Sequence, residues 1–420
     1  MIIGSWLVVA TLARLIGRSW WAPGPLLALV MSVSAVGTRV FAPEYYMSLS
    51  ANFALQMFVV AALVGGVVGE NAVGGTRSRG DFALSNIRGL TYTGYFSALL
   101  GLFATLASLG VGPGVLFSPA RLIGVAQAAT YQRYTQGIEL PIYVNLANAV
   151  TIAFGMLAAA HWVSVKKVSW AMVGPLIIYG ATNMLITTRA PILMILLAMV
   201  FSAVFADRAV RGRQEFRGMF SGRVLIFIVL GGGLIAMVFF YFQTLRFGAG
   251  STRSSGEVWA HLRRYPWGSL PGFSLWFDGL IPPAAPQPPG FYTLMGLYDN
   301  LGIARRVTGS YSEYYQLTGD EPGNIYTAFR GLLHDFGWIG ALSFTFSAAF
   351  AGGMASSGRA LPPAVSLSVY VGVSAFFAFS FVISYVSFTA NIAALLLAPV
   401  LFRIFTAREQ SAKLESELKK

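Results

Sequence analysis

The chain has 420 residues, 56% of them hydrophobic and 11% charged, with a mean hydropathy of +0.65. A soluble domain carries about 25% charged residues, and weak apolar/polar alternation argues against an outer-membrane barrel. The net charge of +13 does not require nucleic acid as a partner, because the positive-inside rule already places many cations at one membrane face.

Apolar runs recur along the whole chain, each near the ~20 residues a membrane helix needs. They predict an all-α, polytopic integral membrane protein forming one membrane domain over 1–420. The predicted spans are 2–17, 23–41, 49–69, 89–110, 138–161, 169–188, 190–206, 224–242, 328–354, 361–385 and 388–406, about eleven in all. The short first span and the nearly continuous sixth and seventh leave ten or twelve as alternatives. The first run, MIIGSWLVVATLARLIG, has no basic stretch before it and reads as a retained helix rather than a cleaved signal.

Basic residues fill alternate loops: Arg77, Arg79 and Arg88; Lys166 and Lys167; Arg208, Arg211, Arg213, Arg217 and Arg223. With Arg403 and the cations of the 407–420 tail, these loops are expected in the cytoplasm. The N-terminus is then outside and the C-terminus inside. Segments 111–137 and 243–327 face outward, the latter as a large periplasmic loop between spans eight and nine.

The outer side so defined holds eleven cations, all Arg, whereas all five Lys fall inside. A guanidinium grips phosphate oxygens as a planar fork, which an ammonium cannot do. Arg outnumbers Lys 24 to 5 over the chain, so this bias has little weight alone. Arg189, in TTRAPILMILL, stands at the outer end of two abutting spans; it suits either an anion clamp or a side chain snorkelling to headgroups. Arg246, in LRFG, stands where the eighth span ends. Trp259, Leu262, Tyr265 and Trp267 beyond it predict an amphipathic helix on the membrane surface. IPPAAPQPPG at 281–290 predicts a stiff linker. Gly231, Gly232 and Gly233 predict close packing of the eighth span.

The most informative segment is Tyr298 to Gly340, where a polar loop runs back into an apolar helix. Ionisable groups at the mouth of a membrane helix are costly to desolvate and commonly functional. Arg330 and His334 are four residues apart and share a helix face. Asp335 is turned from Arg330 by roughly 140°. It is therefore expected to bond a neighbouring helix or a loop Arg. His334 suits a general base at neutral pH or a satisfied polar group. The chain has no Cys, and His161, His261 and His334 are scattered, so no metal site and no cofactor is expected.

Three runs together resemble the oligosaccharide repeat-unit polymerases, the Wzy-type O-antigen polymerases of bacterial inner membranes: TTRAPILMILL, LRFG with RYPWGSLPGFSLWF, and GNIYTAFRGLLHDFGWIG at 323–340. Their order around a large outer loop matches as well, and the landmarks span about a third of the chain, from Arg189 to Gly340. The N-terminal part matches only as a generic helical scaffold. The resemblance implies glycosyl transfer at the periplasmic face of the bacterial inner membrane. Undecaprenyl-diphosphate-linked glycans are then donor and acceptor, membrane lipid surrounds the site, and a chain-length regulator is a candidate partner.

Fixed Arg donors aimed at a departing diphosphate stabilise the charge that develops there. The candidates are Arg189, Arg246 and Arg330, with Arg121, Arg133, Arg263 and Arg264 as a second clamp. His334 or Asp335 is the candidate base. Relatives carry an aromatic or small residue before the DFG run, whereas this chain has His334; a base role for His334 comes from its chemistry and not from the resemblance. An O-antigen ligase using the same donor, and a flippase or transporter of lipid-linked sugars, are the alternatives. A flippase predicts internal repeats and mid-membrane charges, and the sequence has neither.

Overall fold

The computed structural model describes residues 1–72, 82–135, 141–186, 188–211, 259, 263–282, 285–307, 311–318 and 322–418, with backbone alone for 119, 133–135, 211 and 407–418. The expected eighth span, Gly231–Gly233, Arg246 and His261 lie outside the described residues.

Helices dominate, as the composition predicts. In chain order they are α1 (Ile2–Gly17), α2 (Pro23–Phe41), α3 (Leu49–Asn71), α4 (Ile87–Ser108), α5 (Pro119–Thr135), α6 (Ile142–Val165), α7 (Gly174–Leu185), α8 (Ala190–Arg211), α9 (Ser269–Phe277), α10 (Met295–Asn300), α11 (Ala328–Ser357), α12 (Pro363–Phe379) and α13 (Thr389–Leu418). Among the described residues seven helices are long and apolar enough to cross a membrane: α2, α3, α4, α6, α8, α11 and the first part of α13. The protein is an all-α membrane protein. The expected spans 2–17, 169–188 and 361–385 are shorter apolar helices here. The sixth begins as a 3₁₀ turn at Trp170–Met172 and ends at Leu185. At the C-terminus α13 runs on through the expected tail to Leu418.

The chain forms two compact units: Met1–Arg77 with Thr252–Ala360 and Gly372–Thr389, and Ser78–Ser251 with Leu361–Val371 and Ala390–Lys420. In the second unit α6 packs on α8 and α4, with Phe154 seated against Gly94. The buried His161 accepts the Leu84 N–H on Nδ1 at 3.0 Å.

The first unit is organised by the crossing of α3 and α11. Gly65 and Gly69 bring α3 so close that an added Cβ would strike the carbonyls of Phe346 and Phe350. From the other side, a Cβ on Gly353 would strike the Gly66 carbonyl. Glycines four residues apart let membrane helices pack backbone to backbone, where no hydrophobic force drives association. Rings extend the contact: Phe58 stacks on Phe329 at 4.4 Å and on Trp338 at 6.2 Å.

The α11 helix is two helices joined at Gly337, whose backbone has φ 63° and ψ −172°. That conformation is essentially open only to glycine. It turns the chain just after Asp335 and separates the polar first segment from the long apolar one.

The described part of the 243–327 segment has structure of its own. It folds into α9, α10 and a two-residue antiparallel ladder, β1 (Tyr315–Gln316) with β2 (Pro322–Gly323). Tyr45, Phe291, Tyr292, Met295, Tyr311, Tyr315, Leu317 and Tyr326 make a small core of their own. Trp267, expected on the membrane surface, stacks on Phe41 at 5.3 Å, and its carbonyl accepts the Thr38 hydroxyl at 3.1 Å. At the end of α9, Asp278 accepts hydroxyls from Ser50 and Tyr46 at 2.7 Å and Ser48 at 3.1 Å. These bonds tie α9 to the start of α3.

Gly337→Ala should cost about 1–3 kcal/mol through its backbone conformation alone, since a Cβ there meets nothing within 4 Å. Gly353→Ala should cost a similar amount, about 1–3 kcal/mol, by overpacking the α3–α11 crossing. Gly4→Ala, also with open space around it, is the control. Thermal unfolding in detergent measures all three, and equal midpoints would refute the assignment of both glycines.

Candidate functional site

The first turns of α11 carry Arg330, His334 and Asp335, and Tyr292, Thr293, Tyr311, Glu313 and Tyr326 pack against them. The start of α11 is fixed by the Ala328 N–H, which donates to the Ser380 carbonyl at 2.7 Å. Arg330 is completely buried. Its guanidinium lies 3.8 Å from the Tyr326 ring centre, 4.0 Å from Tyr311 and 5.5 Å from Trp276. Its Nη2 donates to Glu313 Oε2 at 3.1 Å, and the Glu313 side chain is 9% exposed. Cation–π contact and a charge-assisted hydrogen bond together replace the lost hydration of the guanidinium. Arg330 Nε and Nη1 find no acceptor among the described residues.

His334 is half-buried and meets the Tyr292 ring edge to face at 4.7 Å. Tyr292 in turn stacks on Tyr311 at 4.8 Å. A continuous path of rings therefore runs from the Arg330 cage to His334. No hydrogen bond engages the His334 ring among the described residues, so its nitrogens are open to a proton.

Among the described residues Asp335 bonds neither a neighbouring membrane helix nor an Arg. Its Oδ1 accepts the Tyr292 N–H at 3.2 Å, and its Oδ2 accepts the Thr293 N–H and hydroxyl, both at 2.7 Å. The carboxylate thus holds the backbone that leads into α10. Of the two candidate bases, His334 is the one whose polar atoms are not already occupied.

The other candidates are dispersed. Arg263 pairs with Glu44 at 2.7 Å and lies 5.2 Å from the Tyr45 ring. Arg264 donates from Nη1 to the Pro322 carbonyl at 2.6 Å, bracing β2. Both stand in the same unit as Arg330 but serve its framework. Arg189 and Arg121 belong to the other unit. Arg189 is buried just before α8, where its carbonyl accepts the Ile192 and Leu193 N–H groups at 3.1 and 3.2 Å. Arg121 is exposed on α5 beside an open concavity lined by Val115, Gly124 and Ala128. Arg133 is described by its backbone only, and Arg246 lies outside the described residues. Among the described residues no three His, Cys, Asp or Glu gather as a metal site.

Sequence reasoning missed Glu313, Tyr292, Tyr311, Trp276 and Thr293. The available signal was the density of tyrosines around a single acid in GSYSEYYQL, which is unusual for a solvated loop. Burial pushes the Tyr311 and Tyr326 phenols well above the ordinary range, and the Arg330 charge only partly offsets it. Tyr292 is raised as well, by burial first and then by the Glu313 charge.

Compared with known proteins, the chain matches no family model, no curated protein and no solved structure.

Tyr311 and Tyr326 should stay protonated when exposed tyrosines ionise. A raised phenol contributes its full stability below the ordinary value of 10.0 and loses it as pH climbs through the higher folded value. A tyrosinate absorbance titration should therefore give an early reversible phase and a late phase coincident with loss of structure; a single early phase would contradict the buried cluster. Asp335→Ala should cost about 1–3 kcal/mol, because it strands the Tyr292 and Thr293 donors. A thermal midpoint equal to the parent's would show those bonds to be dispensable.

Proposed function

We propose that this chain is a membrane glycosyltransferase that polymerises undecaprenyl-diphosphate-linked oligosaccharide repeat units into O-antigen or a related surface polysaccharide. The chain then sits in the bacterial inner membrane with eleven spans, its N-terminus outside, its C-terminus inside and the 243–327 segment in the periplasm. The observation that carries the reading is His334, without a hydrogen bond among the described residues, linked through the Tyr292 and Tyr311 rings to a buried Arg330. It falls within the 323–340 run that resembles the repeat-unit polymerases.

In the reaction, the acceptor sugar hydroxyl attacks the anomeric carbon of the donor glycan. The bond from that carbon to the diphosphate oxygen breaks, and the electron pair leaves with undecaprenyl diphosphate. His334 takes the hydroxyl proton, since neutral imidazole is a competent base near pH 7. The growing negative charge on the leaving diphosphate calls for fixed donors on the outer side, a role suited to Arg189 and Arg246. Asp335 keeps Tyr292 and Thr293 in place beside His334. Both lipid tails remain in the bilayer, which suits a site at the mouth of a membrane helix.

Purified protein, given synthetic undecaprenyl-diphosphate repeat units without nucleotide sugars and with EDTA, should produce a polymer ladder. Arg189→Ala and Arg246→Ala should each lower the rate by about 10²–10³, the usual loss for one donor to a developing charge. Arg330→Ala should also abolish polymer, while Arg211→Ala should keep the ladder. Lys at 189 or 246 should not rescue, for want of a planar fork. Full ladders from all three Ala variants would remove the Arg-based reading. Transfer only onto added lipid A core would instead identify a ligase, and movement of intact units between leaflets without extension would identify a flippase.

A further inference from the structure

Arg330 is the most conspicuous outward cation of the sequence, yet its geometry is wrong for gripping a ligand. A residue that holds a diphosphate must present an open fork. Here Tyr326 and Tyr311 approach the guanidinium at 3.8 and 4.0 Å, Trp276 stands at 5.5 Å, and Glu313 takes Nη2 at 3.1 Å. The side chain has no exposed surface.

What the pair does hold is its own chain. Tyr311 and Glu313 lie in the irregular stretch just before β1. Tyr326 leads into α11, and its hydroxyl donates to the Glu313 carbonyl at 3.0 Å. Arg330 therefore holds Tyr311, Glu313 and Tyr326 down on the helix that carries it. The consequence passes along the rings. Tyr311 stacks on Tyr292 at 4.8 Å with planes only 14° apart, and Tyr292 meets His334 at 4.7 Å. Asp335 secures the same Tyr292 from its backbone side at 3.2 Å.

We infer that Arg330 and Glu313 are positioning residues: their ion pair docks the tyrosine-rich segment on α11 and thereby fixes Tyr292 and His334, while recognition of the phosphorylated ligand falls to other residues. What is positioned rests on the glycosyl-transfer reading; the docking itself does not. The proposal adds Glu313, a residue the sequence did not mark, to the working parts of the site.

Removing one partner of a buried ion pair strands the other, whereas replacing both with apolar side chains of similar size is commonly tolerated. That difference supplies the test. The chain has no Cys, so Leu317→Cys, at a position 6% exposed in the tyrosine core, gives a single reporter of docking for a membrane-impermeant maleimide. In this background Arg330→Met should speed labelling at least about tenfold, as expected when a local opening becomes easier. The double variant Arg330→Met with Glu313→Leu should return labelling to the slow rate.

Polymer assays on the same proteins should show kcat reduced in Arg330→Met, with KM for the lipid-linked repeat unit within about threefold of the parent's, the pattern of a displaced reacting group rather than lost binding. The double variant should recover kcat to within about tenfold. Labelling no faster in Arg330→Met would overturn the docking role. Restored slow labelling with turnover still absent, or a large rise in KM, would show that Arg330 meets the ligand itself. If the parent makes no polymer at all, the glycosyl-transfer reading fails, and the labelling arm still decides the docking.

Discussion

The first unit depends on one buried charge. An arginine cannot shed its proton to escape a low-dielectric site, so the chain must bring partners to it. Glu313, Tyr311, Tyr326 and Trp276 are those partners. Once they have gathered, the stretch that carries Tyr311 and Glu313 is committed to one arrangement over the first turn of α11. A buried ion pair is weak support for stability, because desolvation offsets most of its attraction. Its value here is in arrangement: a shifted segment would leave Arg330 or Glu313 buried alone.

The helix beneath that charge is shaped to receive it. Gly65, Gly69 and Gly353 let α3 and α11 meet backbone to backbone, which sets the long apolar part of α11 firmly. Gly337 then breaks the helix, so the polar first turns keep a direction of their own. Asp335, directly before the break, spends its carboxylate on the Tyr292–Thr293 backbone. Arg330 and Asp335 thus fasten two different stretches of the preceding segment, around Glu313 and around Tyr292, and His334 sits between them in sequence with its ring against Tyr292. The roles of three neighbouring ionisable residues separate by what each one touches.

Much of the site's location was legible before any coordinates. The density of ionisable residues at 330–335 pointed to the mouth of that helix, because charges rarely stand there without a purpose. The expected sharing of a face by Arg330 and His334 follows from helix geometry, and both do reach the same cluster of rings. The divergence of Asp335 was also legible, but its partner was not: the carboxylate binds backbone 42 residues earlier in the chain. A sequence pattern carries no trace of which N–H groups a distant turn will leave open. The small tyrosine core of the segment before α11 was not legible for a related reason. Tyrosine counts as polar in a loop, yet its ring buries well once the hydroxyl finds a carbonyl, as Tyr315 does with Ile325 at 2.6 Å and Tyr326 with Glu313 at 3.0 Å.

By itself the sequence determined that this is a helical membrane protein, because the free energy of placing a helix in a bilayer is a local sum over about 20 residues. It also determined where chemistry-bearing groups crowd one helix end. Only the tertiary structure decided that Arg330 is closed in by Glu313 and three rings, that Asp335 serves backbone, that His334 meets Tyr292, and that Trp267 packs on α2. Those contacts turn on which distant segments meet, and segment pairing is set by the balance of packing, desolvation and loop closure over the whole fold rather than by any local composition.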